Sequence, residues 1–258
     1  MLKTAFLTSI ALCSASLTLA KETPDADLKL ATTPCVQNSD WAGWWPHRHA
    51  EKLTERDAIV NEGRPLQLVF VGDSITHSWE NDGGKKLWAE RFGPRGAFNI
   101  GFSGDRTEHV LWRLGVGSGK INNEIAGLKP KLFVVMIGTN NTGHRKDAPD
   151  ATAKGIEQIV DRLLEQAPES KVLLLAIFAR GEKPDDELRQ INDAINKRIA
   201  KLDAHDRVEF LDINEAFLDE DGVLPKSVMP DLLHPNEHGY ELWADAIEEP
   251  VARLLGEK

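Results

Sequence analysis

Four short groups of polar residues in this chain have the side chains needed for nucleophilic attack on a carbonyl group. The groups "GDS" at 72–74 and "DLLH" at 231–234 hold a serine, an aspartate and a histidine. A serine hydroxyl becomes a nucleophile when a neutral imidazole takes its proton, and a carboxylate on the other ring nitrogen orients that imidazole. We therefore predict Ser74 as the nucleophile, His234 as the general base and Asp231 as the group that holds His234.

The other two groups, "GFSGD" at 101–105 and "GTNN" at 138–141, offer hydrogen-bond donors for a negatively charged oxygen. Attack on a carbonyl carbon creates an oxyanion, which needs donors placed in advance. We predict that the donors are the backbone N–H groups of Ser74 and Gly104 and the side-chain amide of Asn140. Glycine suits position 104 because a donor that approaches the substrate closely cannot carry a side chain.

A short apolar run precedes each of the groups GDS, GFSGD and GTNN. Amphipathic helical segments separate these runs. Each run is hydrophobic on both faces, as are strands that helices cover from either side. This alternation predicts an α/β protein with a five-stranded parallel sheet and helices on both faces. The carboxyl ends of parallel strands lie at one edge, where we expect the site. The predicted strands are 66–71, 97–100, 131–137, 171–178 and 208–213.

The N-terminal residues predict export. Lys3 precedes an apolar stretch that ends on small residues, the pattern of a signal peptide over residues 1–20 with cleavage after Ala20. We predict a loose leader over 21–40, a single domain over 41–258, a periplasmic or secreted location, and no stable membrane insertion after cleavage. The net charge of −10 argues against nucleic acid as a partner.

In their order along the chain, GDS, GFSGD, GTNN and DLLH, the four groups resemble the SGNH (GDSL-type) hydrolase superfamily. The stretches "NIGFSGDRTEHVLWRL", "KPKLFVVMIGTNNTG" and "ARGEKP" are similar to the catalytic subunits of intracellular platelet-activating-factor acetylhydrolases and their bacterial relatives. The resemblance implies a flavodoxin-like three-layer α/β/α sandwich, the roles given above, and Asn140 rather than Asn141 as the donor. It also implies a small acyl pocket lined by Ile75, Thr139 and Leu233.

These patterns predict a serine esterase that hydrolyses acetyl or other short acyl esters of a small molecule or polysaccharide through an acyl-enzyme. A carbohydrate or general acetylesterase is the preferred interpretation, and a phospholipid acetylhydrolase is the alternative. No cofactor is expected, because side chains and backbone amides supply every donor and proton carrier. Since members of the resembling group dimerise, a homodimer is one alternative for the oligomeric state.

A different class of function is a non-catalytic carbohydrate-binding protein that uses Trp41, Trp44 and Trp45 as a sugar platform. Aromatic clusters ahead of a helix more often serve packing. A zinc site is a further alternative, since Asp231, His234 and His238 are residue types that bind zinc. Pro235 lies between the two histidines and no further ligand has matching spacing, so we predict no metal.

Two acidic residues near the predicted site are expected to act structurally. Asp73 adjoins the nucleophile and suits a hydrogen bond within the turn. Asp105 and Arg106 are expected to brace their loop through an ion pair.

Overall fold

The structure is a computed structural model that describes residues 24–81 and 83–257. Its centre is a sheet of five parallel strands, as the alternation of runs predicts, and the strand order is β2-β1-β3-β4-β5. The strands are β1 Leu68–Gly72, β2 Ala97–Gly101, β3 Leu132–Met136, β4 Lys171–Leu175 and β5 Val208–Leu211. The α-helices are α1 Pro24–Thr32, α2 Trp45–Glu62, α3 Ser74–His77, α4 Lys85–Leu87, α5 Thr107–Arg113, α6 Thr139–Arg145, α7 Pro149–Gln166, α8 Glu187–Ile199 and α9 Glu237–Leu255. Short 3-10 or π-helical turns occupy Ser78–Glu80, Trp88–Phe92, Gly93–Arg95, Lys120–Asn122, Ala200–Ala204 and Asn214–Phe217.

Helices cover both faces of the sheet, so each strand contributes to two hydrophobic clusters. Successive side chains of a strand point to opposite faces. Val69 and Val71 of β1 join a cluster with apolar residues of α5, α7 and α8. Leu68 and Phe70 join a second cluster with α9 and the aromatic segment that includes Trp79. The protein is therefore a three-layer α/β/α fold, as predicted.

Glycine at the end of β1 allows the chain to turn at once into α3. A Cβ atom on Gly72 would lie 2.1 Å from Thr76 Oγ1 and 2.5 Å from the carbonyl oxygen of Met136. The Gly72 carbonyl accepts a hydrogen bond from Phe102 N at 3.1 Å, one residue beyond β2. This bond holds the β2–α5 loop, residues 102–106, beside Ser74.

The leader is more ordered than the sequence predicts. Residues 21–40 have no clear period, yet α1 lies within them and packs on α5 and α7. The packing is close because Gly155 of α7 has no side chain, and a Cβ there would lie 2.7 Å from the carbonyl oxygen of Ala31. Thr107 Oγ1 donates to the same carbonyl at 2.7 Å, and Ala148 N donates to Asp27 at 2.8 Å. The prediction of a loose segment is therefore wrong for residues 24–32.

Pro250 does not end the last helix, although a proline in a helix interior predicts an end or a kink. Helix α9 continues through Pro250 to Leu255. Val251 and Leu255, which follow the proline, are buried in the second hydrophobic cluster. Burial of each such side chain contributes about 1.5–3 kcal/mol, enough to offset the hydrogen bond that proline removes.

The predicted signal peptide, residues 1–20, lies outside the described residues. Within residues 24–81 and 83–257, no helix has both the length and the apolar character that spanning a membrane requires.

Candidate active site

The structure brings Ser74, His234 and Asp231 together at the carboxyl edge of the sheet. Ser74 is the first residue of α3 and is separated from β1 only by Asp73, and the other two lie in the loop before α9. Ser74 Oγ is 2.9 Å from His234 Nε2, and His234 Nδ1 is 2.6 Å from Asp231 Oδ2. An ionised carboxylate can only accept, so Nδ1 carries a proton and Nε2 is left to accept from the serine hydroxyl.

Backbone hydrogen bonds fix the loop that carries the aspartate and the histidine. Asp231 Oδ1 accepts from Leu233 N at 3.1 Å and from His234 N at 2.7 Å. Leu232 between them has φ of 61°, a left-handed conformation that costs a residue with a side chain about 1 kcal/mol or more. Its carbonyl accepts from Gly181 N at 3.0 Å, which ties this loop to the segment after β4.

The surroundings of Asp231 favour its ionised form. Partial burial opposes ionisation, but hydrogen bonds from the His234 ring and from the His234 and Leu233 amides outweigh it and hold the pKa of Asp231 below its usual value. The carboxylate therefore stays charged near neutral pH and can stabilise an imidazolium on His234.

Two of the predicted oxyanion donors are backbone N–H groups that are free to bind an added oxygen. Within residues 24–81 and 83–257, the N–H groups of Ser74 and Gly104 make no hydrogen bond. Gly104 has φ of 75°, and its loop is held next to Ser74 by the bond between Phe102 and Gly72. In the described part of the chain, both predicted donors therefore lack a protein acceptor.

Asn140 and Asn141 are both buried but have different surroundings. Asn140 Nδ2 donates to the Asp105 carbonyl at 3.0 Å, which uses one of its two N–H bonds. Asn141 accepts from Thr107 N at 3.1 Å and donates to Asp147 Oδ2 at 3.0 Å. Asn141 therefore has a structural role between α5 and α6, whereas Asn140 keeps one N–H for another acceptor.

Asp73, directly before Ser74, is fully buried. Its Oδ1 accepts from Ile75 N at 3.0 Å, the turn hydrogen bond that the sequence predicts. Its Oδ2 has no hydrogen-bond partner in the described part of the chain. Burial raises the pKa of Asp73 from 3.8 to about 7, although the Ile75 amide opposes the change. The side chain is therefore not a partner of the His234 ring.

The expected ion pair between Asp105 and Arg106 is wrong. Asp105 accepts from Trp45 Nε1 and from Arg113 Nε, both at 2.8 Å. Arg106, at the edge of α5, binds Glu108 at 2.6 Å instead. The difference arises because the Asp105 carboxylate points into the protein, where two turns of α5 bring Arg113 to the same side.

Arg113 extends this buried network beneath the β2–α5 loop. Its guanidinium also binds Glu124, lies 4.0 Å from the ring centre of Phe102, and is fully buried. Glu124 in turn contacts His49 Nδ1 at 2.7 Å. Burial raises the pKa of Asp105 to about 6, while Arg113 opposes the change. The ion pairs that Arg113 makes with Asp105 and Glu124 thus fix the loop that carries Gly104.

Of the residues predicted to line an acyl pocket, Ile75 and Leu233 are the chain neighbours of Ser74 and His234, and Thr139 begins α6 after the adjacent strand β3. Ile75 is buried and Leu233 is half-buried against the same hydrophobic cluster. Thr139 is buried at the start of α6, and Arg180 Nη1 donates to its carbonyl at 2.8 Å and reaches its hydroxyl at 3.3 Å. Sequence reasoning missed Arg180, although the quoted "ARGEKP" stretch contains it.

The three N-terminal tryptophans do not form one flat platform. Trp45 is 2% exposed and bonded to Asp105, and Trp44 packs against His77 with ring centres 5.6 Å apart. Trp41 is 53% exposed and lies against Gly104. Packing is therefore the role of Trp45, whereas Trp41 presents an aromatic face to solvent.

His238 does not join Asp231 and His234 in a zinc-like arrangement. Its Nδ1 lies 3.4 Å from Glu241 Oε2 on the same helix. Both ring nitrogens of His234 are engaged, one with Asp231 and the other with Ser74.

Comparison with known proteins identifies relatives of the whole described fold. Residues 70–242 match the model of the GDSL-like lipase/acylhydrolase family. Human platelet-activating factor acetylhydrolase IB subunit alpha1 is 33% identical over 223 residues, which cover 86% of this chain and 89% of the human protein. The rat alpha2 subunit is 36% identical over 191 residues, which cover 74% and 78%.

Two solved structures share the fold at low sequence identity. A GDSL-like lipase from Bacteroides thetaiotaomicron has a TM-score of 0.62 and 23% identity, with 80% of this chain and 97% of that chain covered. An acetylxylan esterase from Geobacillus stearothermophilus has a TM-score of 0.56 and 19% identity, with 75% and 95% covered.

Proposed function

The chain belongs to the GDSL-like lipase/acylhydrolase family and is a carboxylic ester hydrolase, and from this premise we propose a serine esterase that removes acetyl and other short acyl groups. Two distances carry the proposal: 2.9 Å from Ser74 Oγ to His234 Nε2, and 2.6 Å from His234 Nδ1 to Asp231 Oδ2. Both are hydrogen-bond distances, as proton transfer between these groups requires.

In the first half of the reaction, Ser74 Oγ attacks the ester carbonyl carbon while its proton moves to His234 Nε2. The new C–O bond converts the carbonyl oxygen into an oxyanion, and Asp231 stabilises the imidazolium through Nδ1–H. The C–O bond to the alcohol then breaks, the alcohol takes the proton from Nε2, and the acyl group stays on Ser74.

In the second half, a water molecule gives its proton to His234 Nε2 and attacks the acyl carbon. The bond to Ser74 breaks, the serine recovers the proton, and the carboxylic acid leaves. The N–H groups of Ser74 and Gly104 and the free N–H of Asn140 receive the oxyanion in both halves. Each such donor contributes about 3 kcal/mol to transition-state stabilisation.

Two observations support a short acyl group. The buried Ile75 follows Ser74 in the chain and the half-buried Leu233 precedes His234, so two large aliphatic residues adjoin the proposed nucleophile and base. The human and rat relatives, which are 33% and 36% identical to this chain, are named acetylhydrolases. We expect acetyl esters to be cleaved at least about tenfold faster than octanoyl esters, since one buried methylene mismatch already costs about 1–3 kcal/mol.

For the alcohol half, we propose an acetylated carbohydrate or another small acetyl ester. A phospholipid acetylhydrolase is the second candidate, because the named activity of the 33% identical relative favours it. Acetate release from acetylated xylo-oligosaccharides, acetylated sialic acid and a 2-acetyl ether phospholipid distinguishes the two. Hydrolysis of the phospholipid alone would make the second candidate the correct one.

The test of the serine mechanism is Ser74→Ala, with hydrolysis of p-nitrophenyl acetate as the assay. The variant should lose at least about 10⁴-fold in kcat while its circular dichroism and melting temperature stay unchanged. Ser227→Ala, which truncates an exposed serine before α9, is the matched control and should keep full activity. Full activity in Ser74→Ala would exclude the proposed nucleophile.

The substrate's location rests on the N-terminal sequence. We propose export with cleavage after Ala20, so that the N-terminal sequence of protein recovered from the periplasm or medium should begin at Lys21. An uncleaved chain retained in the cytoplasm would contradict export.

A further inference from the structure

Trp41 holds an exposed aromatic ring beside the loop that carries a proposed oxyanion donor. The outer edge of its indole is so close to Gly104 that a Cβ there would lie 2.0 Å from Trp41 Cη2. The side chain is nevertheless 53% exposed. An aromatic face is therefore open to solvent next to the β2–α5 loop.

The segment around Trp41 is anchored on both sides. Before it, the buried Gln37 donates from Nε2 to the Gly104 carbonyl at 3.0 Å, and Ser39 Oγ holds the Gln37 amide at 2.9 Å. After it, Trp45 is buried and bonded to Asp105. The ring of Trp41 is therefore held at a defined place on the β2–α5 loop, as a surface that binds a substrate must be.

Polar groups lie next to the exposed face. The ring centre of Trp41 is 6.5 Å from that of the exposed His144, which meets it edge-on, and Arg106 Nη1 approaches His144 Nδ1 at 3.3 Å. Partial burial, together with the positive charge of Arg106, holds the pKa of His144 below its usual value. Because the Arg106 guanidinium can only donate, His144 Nδ1 accepts from it and the Nε2–H of the neutral ring is left to donate to a substrate hydroxyl.

We propose that Trp41 is a substrate-binding residue that stacks on the sugar ring of an acetylated carbohydrate, with His144 bonding a ring hydroxyl. A pyranose has a flat face of C–H groups and a rim of hydroxyls, which matches a flat aromatic face beside a polar side chain. A quaternary ammonium headgroup is favoured by an uncharged aromatic cage, whereas Arg106 places a positive charge beside this surface. The inference rests on the proposed esterase function and specifies its substrate class.

The test compares Trp41→Leu with Trp41→Phe. Leucine keeps an apolar contact with Gly104 but has no aromatic face, whereas phenylalanine keeps a face. The readout is the ratio of kcat/KM for acetylated xylotriose to kcat/KM for ethyl acetate, which has no ring. We expect Trp41→Leu to lower this ratio roughly 3- to 10-fold, mainly through KM, and Trp41→Phe to keep most of it. Ile121→Ala, at a residue that is 78% exposed in the short helical turn Lys120–Asn122, is the control and should keep the wild-type ratio.

A ratio that Trp41→Leu leaves unchanged would overturn the proposal. Parallel losses on both esters would mean that Trp41 only supports the loop of Gly104. A Trp41→Leu loss that is confined to a 2-acetyl ether phospholipid would overturn the assignment to sugars.

Binding without turnover separates this inference from the proposed reaction. Acetylated xylotriose is titrated calorimetrically into Ser74→Ala and into the same variant with Trp41→Leu. Weaker binding in the double variant supports sugar stacking on Trp41 even if the wild-type protein proved inactive on every ester. Equal binding refutes it. Wild-type hydrolysis of ethyl acetate tests the esterase function independently.

Discussion

Replacing Asp73 with asparagine should flatten the dependence of stability on pH. The carboxyl group of Asp73 has a pKa of about 7 in the folded protein against an ordinary value of 3.8, because it is buried. Between these two pH values, the folded chain keeps a proton that the unfolded chain has released. The contribution of Asp73 to stability therefore falls as the pH rises through this interval; it is fully present below pH 3.8 and lost above pH 7.

The size of the effect follows from the difference between the two pKa values of Asp73. Each pH unit is worth about 1.4 kcal/mol, so the wild-type protein should lose up to about 4 kcal/mol across it through Asp73 alone. Asparagine keeps the acceptor for Ile75 N, but its NH₂ replaces the Oδ2 atom that has no partner in the described part of the chain. The variant should therefore be about 1–3 kcal/mol less stable than wild type near pH 4.5. This difference in the free energy of unfolding should shrink as the pH rises.

Urea unfolding at pH 4.5, 5.5, 6.5 and 7.5 measures both chains. Asp206→Asn, at a side chain that is 88% exposed, is the control for the loss of one carboxylate and should follow the wild-type profile. Parallel profiles for Asp73→Asn and wild type, with a constant offset, would refute the buried, protonated Asp73.

Other substitutions test the oxyanion donors and the network beneath them. Asn140→Ala should lower kcat about 100-fold with a small change in melting temperature, whereas Asn141→Ala should chiefly lower the melting temperature; equal losses of kcat would contradict the choice of Asn140. Gly104→Ala should cost about 1–2 kcal/mol of stability, because its φ is 75° and its Cβ would meet Trp41, and an unchanged urea midpoint would contradict this. Arg113→Met should cost about 3–5 kcal/mol in urea unfolding, since two buried carboxylates lose their cation, and a cost below about 1 kcal/mol would contradict the network.

The sheet could be predicted because its strands are apolar on both faces, but the strand ends could not. The apolar run 171–178 predicts a strand to Phe178, whereas β4 ends at Leu175. Beyond it, Asn196 accepts from Ile177 N at 2.8 Å and donates to Ile177 O at 2.9 Å. At Ile177, a side-chain amide thus makes the hydrogen bonds that a neighbouring strand would make. The apolar composition of the run does not indicate this.

At the candidate site, sequence order predicted which residues meet but not what supports them. Ser74 and His234 are far apart in the chain, and only the shared edge of a parallel sheet suggests their contact. The choice of Arg113 over Arg106 as the partner of Asp105 depends on which way one carboxylate points. Gln37 lies in a segment without periodicity, so nothing in its surroundings predicted its bond to Gly104.

Residues 24–40 pack on the rest of the domain, and this packing determines where a fusion partner can be attached. A carrier domain fused at residue 41, the boundary that composition suggests, would delete α1 and Gln37 and leave the Gly104 carbonyl without its donor. A junction ahead of Pro24 keeps both. The shortest chain worth expressing therefore starts some seventeen residues earlier than composition suggests, at about residue 24.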